Sequence, residues 1–189
     1  MVISVSINEV LRGILSRFEE IYEKYEDKKV KFPVTTPNLL EYVDFKDEDE
    51  LYQFLYSDAP MEIFGQAKEC TNNVISHLVD LYKDRPDGYK LRVVSDDVGR
   101  GKSATLWFLA KYGLVCDEII FYTNSTIPTL WEDTDLFITT DVEIIKNKPV
   151  DKKLIIVDKI YNKTEDSNLR IDSIKELTSF EDACKEKFV

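Results

Sequence analysis

Histidine is almost missing from this chain: its 189 residues include one, His77. That excludes metal centres built from several imidazoles, and His77 lies in a helical pattern that suits a structural role. Cysteine is scarce and odd in number, with Cys70, Cys116 and Cys184 at no metal-ligand spacing. A disulfide framework is not expected, and a reducing compartment is the simplest setting. Positive charge is short as well, 25 Lys and Arg against 36 Asp and Glu, for a net charge of −11. Such a field repels bare nucleic acid and anionic membranes; it serves solubility, or a partner with a basic surface. No apolar run approaches the ~18 residues of a membrane span, and the charged-then-apolar order of a secretion signal is absent. The expectation is a soluble, cytoplasmic protein without repeats or low-complexity segments.

What remains is enough for a core. Hydrophobic residues make up 43% and aromatics 12% of a length that suits one domain with an insertion. VISVSI, residues 2–7, reads as a buried strand. From Glu9 to Tyr25 the pattern is helical, with Leu11, Ile14, Leu15, Phe18, Ile21, Tyr22 and Tyr25 on one stripe. A two-proline loop, KKVKFPVTTPN, leads into an acidic, tyrosine-rich stretch at 39–58, in which the run Asp47–Glu50 opens a helix. Residues 61–83 read as one further helix, and RPDGY as a turn. Strands at 91–95, 118–123, 135–139 and 153–158 then alternate with helices at 102–112, 127–132 and 141–146. That alternation predicts an α/β fold with a parallel sheet, its first strand separated from the second by a helical insertion. After a polar stretch at 162–170, Ile171, Ile174, Leu177, Phe180 and Ala183 form an amphipathic stripe. It suits a helix that closes the domain edge or one that docks on a partner.

Residues 91–113, LRVVSDDVGRGKSATLWFLAKYG, raise the question of a phosphate-binding loop. A strand, a glycine pair, Lys-Ser and a helix stand in the right order. The pattern G-x-x-x-x-G-K-[ST] would end on Gly101, Lys102 and Ser103, and so needs a glycine at 96. Asp96 stands there, followed by Asp97. Two carboxylates would meet the phosphate where backbone amides should. A P-loop nucleotide-binding protein, with LIIVDK carrying Asp158 as the acid of a second strand, stays open as a third reading.

In open parallel sheets the functional crevice lies beyond the C-terminal strand ends. Those ends here carry Ser6 to Glu9, Ser95 to Asp97, Thr123 to Ser125, and Thr139 to Asp141. On these segments the chain resembles the haloacid dehalogenase superfamily of phosphatases, nearest to its 5′(3′)-deoxyribonucleotidase-like branch. VISVSINEVL resembles the opening motif, and APMEIFGQAKE the segment closing the helical cap. LRVVS resembles the strand ending in Ser or Thr. DLFITTDVEI falls where the acidic motif belongs, and IIVDKIYN resembles the closing strand. The resemblance implies a three-layer α/β domain over 1–189, with a helical cap insertion at approximately 26–85 and a C-terminal tail and amphipathic helix at 163–189.

The resemblance also implies what is lost. The nucleophilic Asp of such phosphatases falls on Ser6, and the general acid on Asn8, which has no acidic proton to give. Glu9 replaces a glycine. No lysine lies between Lys111 and Lys146 to neutralise a phosphoryl group, and the magnesium-holding acids fall on Thr139 and Thr140. Asp141 is one residue late and is expected to point elsewhere. Ser95 alone fits, as the phosphate-holding hydroxyl. The expectation is a pseudophosphatase without catalytic residues or cofactor, its degenerate positions being Ser6, Asn8, Ser95, Thr139 and Thr140. It would act by binding a protein with a basic surface. The model for such a protein is an acidic, phage-type regulator docking on transcription or replication machinery, such as RNA polymerase or a sigma factor. Candidate contact residues are Tyr42, Phe45, Asp47, Glu48, Asp49, Glu50, Tyr52 and Tyr56, which suit either an interface or the cap's own core. The alternative is a divergent Mg²⁺-dependent nucleotidase drawing on Asp141, or on Asp96 and Asp97.

Overall fold

The chain opens in strand β1 (Val2–Ser6), a short β2 (Arg12–Gly13) and helix α1 (Ile14–Glu26). Next come α2 (Glu48–Gln53), two π-helical turns (Phe54–Asp58 and Met61–Gly65), β3 (Lys68–Glu69) and α3 (Val74–Lys83). The remainder alternates: β4 (Lys90–Ser95), α4 (Gly99–Lys111), β5 (Glu118–Phe121), α5 (Ile127–Glu132), β6 (Leu136–Thr139), α6 (Val142–Lys146), β7 (Lys153–Val157), β8 (Arg170–Ile171) and α7 (Phe180–Cys184). These elements belong to a computed structural model that describes residues 1–31, 33–165 and 169–185.

Six strands form one sheet in the order β5-β4-β1-β6-β7-β8, and every pairing in it is parallel. β1 is central, and both of its faces are covered. That is why VISVS carries only apolar or small residues, and why Ser4 is sealed and hydrogen-bonded to Thr134 at 2.8 Å. Alternation along the strands sorts the two faces. Leu91, Val93, Leu136, Ile138, Ile155 and Val157 point to a layer built by α3, α4 and the C-terminal segment. Val94, Phe137, Leu154 and Ile156 point to the opposite layer, built by α5 and α6. The α/β fold with a parallel sheet and helices on both faces therefore follows the sequence reading. β8 is an addition to it.

β2 and β3 pair antiparallel, Arg12 opposite Glu69, and close the base of an inserted module. The module has its own core of Ile14, Phe18, Tyr22, Leu51, Phe54 and Phe64, with Ala104 of α4 joining from the sheet side. Within the expected 26–85 stretch, Val74, Ile75 and Leu78 pack with the sheet instead.

Three element readings need correction. The first helix starts at Ile14, not Glu9: Glu9 takes a left-handed φ of 58°, and Leu11 is buried under the sheet. Residues 61–83 are not one helix. A π-helical turn, a strand and a left-handed Asn73 (φ 61°) intervene before α3. The tail is not one helix either. It consists of β8, a 3₁₀ turn (Ile174–Glu176) and α7, and all five stripe residues are buried in the main core. Its docking alternative therefore fails for 171–184. Residues 166–168 of the polar stretch and 186–189 of the tail lie outside the described residues. Cys70, Cys116 and Cys184 are free thiols. Among the described residues no helix is long and apolar enough to cross a membrane.

Candidate functional site

A cavity of about 330 Å³ opens where β1, β4 and β6 end, between the sheet and the inserted module. Ser6, Asn8, Ser95 and Thr140 line it from the sheet side, and Leu15, Leu55, Tyr56 and Phe64 from the module side. The strand ends thus bring together most of the positions singled out from sequence. Thr139 lies just behind, fully buried.

Backbone turns at the end of β1 set the geometry. Glu9 adopts a conformation unusual for a non-glycine residue. Its carboxylate offsets the strain by accepting bonds from the Ile14 and Leu15 amides, 2.7 and 2.9 Å, and so caps the start of α1. Its other oxygen lies 3.6 Å from Lys159 Nζ. Glu9 is thus a structural cap.

Behind Asn8 lies a sealed polar network. Arg12 and Asp97 are both at 0% exposure, with Nη2 and Oδ2 2.6 Å apart. Arg12 also donates to Thr105 Oγ1 at 2.6 Å and to the Phe64 carbonyl at 3.3 Å, and lies over the Phe64 and Phe108 rings. Nε and Nη2 of Arg12 both reach Asn8 Oδ1, at 3.2 and 2.5 Å. The Asn8 amide then donates to Asp96 at 2.8 Å and to Asp97 at 3.3 Å. The carboxamide is held from both sides, and its two ends need different partners. Ser95 Oγ donates to Asp97 at 2.7 Å, and Thr105 Oγ1 donates to the same carboxylate. Arg12 and Thr105 were missed from sequence, and Asp97, named there as a candidate metal acid, is instead the partner of Arg12. Arg12 was placed in a helix, and a lone arginine there gives no signal of burial.

At β6, Ser6 Oγ and Thr139 Oγ1 are 2.6 Å apart. Thr139 Oγ1 also accepts from the Asp141 amide at 2.9 Å. Thr140 donates to the Asn8 carbonyl at 3.2 Å, and buried Asn162 donates to the Thr140 carbonyl at 3.3 Å. Asp141 does not point elsewhere. It faces the cavity, accepts a hydrogen bond from Tyr122, and caps α6 through the Glu143 amide at 2.8 Å and the Ile144 amide at 3.4 Å.

Electrostatics at this end are one-sided. Glu9, Asp96, Asp141 and Glu143 are among the lining, and among the described residues no Lys, Arg or His is. Asp96 is reached by water, yet protein crowds its carboxyl at the cavity mouth. That desolvation, then Asp97 and Asp141 nearby, push it up to about 6, against the opposing pull of the Asn8 bond. Burial first, and Asp141 next, raise the Tyr122 phenol well above its ordinary value.

The glycine-rich segment does not line the cavity. α4 begins at Gly99, and Tyr56 covers its first turn so closely that a Cβ on Gly101 would stand 2.8 Å from Tyr56 Cδ1. Arg100 donates to the Ser57 carbonyl at 3.0 Å, and Lys102 lies over the Phe121 ring.

The aromatic contact candidates divide. Tyr42 is buried, and its hydroxyl accepts from the Thr35 and Thr36 amides at 2.9 and 2.8 Å. Phe45 packs on Tyr22 and Phe54, and Tyr56 stacks on Phe64. Tyr52 is exposed, next to the exposed acids Asp47, Glu48, Asp49 and Glu50. Asp47 also caps α2 by accepting from the Glu50 amide at 3.1 Å. Among the described residues no group of three or more His, Cys, Asp or Glu is arranged to hold a metal ion. No protein-family model matches the chain, and no curated protein matches it either.

Proposed function

We propose that this chain is a non-hydrolytic, haloacid dehalogenase-like domain that acts by binding a protein with a basic surface. One observation carries the loss of hydrolysis. The two positions that would attack and protonate are Ser6, bonded to Thr139, and Asn8, clamped between Arg12 and two aspartates. Ser6 is paired with a hydroxyl rather than a base, Asn8 has no acidic proton to give, and a phosphoryl group entering the cavity would meet carboxylates without a cation among the described lining residues. The central place of β1 and the helical module inserted between β2 and β3 support the family reading. The basic partner is supported by the net charge of −11 and by the exposed acids 47–50 beside Tyr52.

Magnesium does not fit the residues present. Asp97 is committed to Arg12, and Asp141 to the α6 amides and Tyr122. Asp96, which accepts one bond from the Asn8 amide, is left as the one acid of the three bound to neither a cation nor a backbone amide or phenol.

The test has two arms. Purified protein with Mg²⁺ and a panel of deoxynucleoside monophosphates is expected to release no phosphate, and turnover that follows the protein peak would overturn the reading. In the second arm, a variant with residues 47–50 changed to Asn or Gln is compared with the unaltered chain in a salt-dependent binding assay. Equal retention of basic proteins by both would remove the proposed surface.

A further inference from the structure

The cavity described above has a chemical preference of its own. It is a 330 Å³ space, its lining is largely aliphatic and aromatic, and its charged groups are all carboxylates. Tyr56, Tyr122 and Tyr161 contribute aromatic surface. The cation nearest the strand ends, Arg12, is sealed behind Asn8 and paired with Asp97, so its charge is spent. Lys159 is drawn to Glu9. Asp96, water-reached at the mouth, accepts one bond from the neutral Asn8 amide and stands near two further carboxyl groups, Asp141 and the Arg12-paired Asp97. Negative charge at one end of an apolar, tyrosine-lined space repels phosphate and attracts a positive group on an apolar stem.

We propose that the cavity binds an organic cation, a guanidinium or ammonium group carried on an aliphatic stem, with its charged head at Asp96 and its stem among the apolar residues under the inserted module. A guanidinium suits the head position best, because its planar fork can engage one carboxylate with two donors. This rests on the site being non-hydrolytic, and it turns a former phosphate pocket into its electrostatic opposite. Two sources carry this chemistry: a free amine, and an arginine side chain of the basic partner.

Agmatine is the probe, titrated by calorimetry and by thermal shift at pH 8 and low salt, with deoxyadenosine monophosphate as the anionic comparison. Saturable agmatine binding without nucleotide binding is expected. Asp96→Asn should weaken it about tenfold, the scale of a lost charge-assisted hydrogen bond. Asn124→Lys, at an exposed position in the lining, should weaken it further by placing an ammonium at the mouth. Circular dichroism checks that both variants fold. N-acetyl-arginine methylamide separates the sources. Tighter binding of agmatine assigns a free amine, and tighter binding of the capped arginine assigns a partner's side chain. No agmatine binding by folded protein at 10 mM, a target set by weak-ligand affinities of about millimolar, would overturn the proposal. So would binding that both variants retain, or a preference for the nucleotide. Phosphate release in the parallel hydrolysis assay would instead strike the non-hydrolytic reading, whatever agmatine does.

Discussion

Arg12 and Asp97 form an ion pair 2.6 Å apart in which neither side chain touches solvent. Ser95, Thr105 and Asn8 satisfy the remaining bonds around it. A buried charge is tolerable only while its partner stays. Arg12→Met should therefore cost about 3–5 kcal/mol in urea unfolding, since it strands Asp97. Arg12→Met with Asp97→Asn should cost less than the two single losses added together. Additive losses would mean the pair is not coupled.

Placing acids at positions 6 and 8 should not create a phosphatase. Asn8→Asp replaces the amide that donates to Asp96 and Asp97 with a third carboxylate. A destabilisation of about 1–3 kcal/mol at pH 8 is expected, shrinking as the pH falls and the acids share protons. Ser6→Asp with Asn8→Asp should release no phosphate from nucleotides. Turnover by that variant would show that the sheet ends still hold a working geometry.

Asp96 gives a pH signature with a definite sign. Its folded value of about 6 lies above the ordinary 3.8, so the folded state holds this proton more tightly than the unfolded chain. Ionised Asp96 therefore opposes folding above pH 6, and the opposition is relieved as pH falls from 6 toward 4. Asp96→Asn should raise stability at pH 8 by on the order of 1 kcal/mol, a figure held down because water reaches the group. The gain should fade by pH 4.5. Melting curves of both proteins across that range provide the check, and a gain that grows in acid would reverse the sign.

The C-terminal segment should behave as core. Phe180 is 1% exposed and packs in the main cluster with Ile171, Ile174 and Leu177. Phe180→Ala should cost about 3–5 kcal/mol. A change below 1 kcal/mol would mean that α7 is dispensable to the sheet.

The alternating half of the chain was legible because each buried strand is bounded by polar turn residues. Strands 91–95, 135–139 and 153–158 fall within a residue or two of β4, β6 and β7, and helix 127–132 coincides with α5. The tail misled for a geometric reason. Its apolar residues recur every three positions, and on an α-helix that spacing drifts by ~240° over five residues, so no single face collects them. β8, a 3₁₀ turn and the short α7, joined by breaks in direction, collect them instead. The start of α1 was hidden because Leu11 and Ile14 stand three apart, as on a helix, while serving two different cores. At the site, the strand ends announced Ser6, Asn8, Ser95 and Thr140. Nothing local announced that Arg12 would be buried, since its partners Asp97 and Thr105 arrive 85 and 93 residues later.

The central position of β1 also bears on how the protein is made. Asn8 finds Asp96 across 88 residues, and Ser6 finds Thr139 across 133. At translation rates of ~5–20 residues per second, β1 leaves the ribosome several seconds or more before its second neighbour exists. Until β4 is made, an apolar strand offers two unpaired edges to whatever is close by, and until β6 is made it still offers one. The inserted module, with contacts confined largely to residues 14–64, can close its own core meanwhile. The nascent chain is thus expected to acquire its roof before its sheet, and its yield to depend on how well β1 is shielded while it waits.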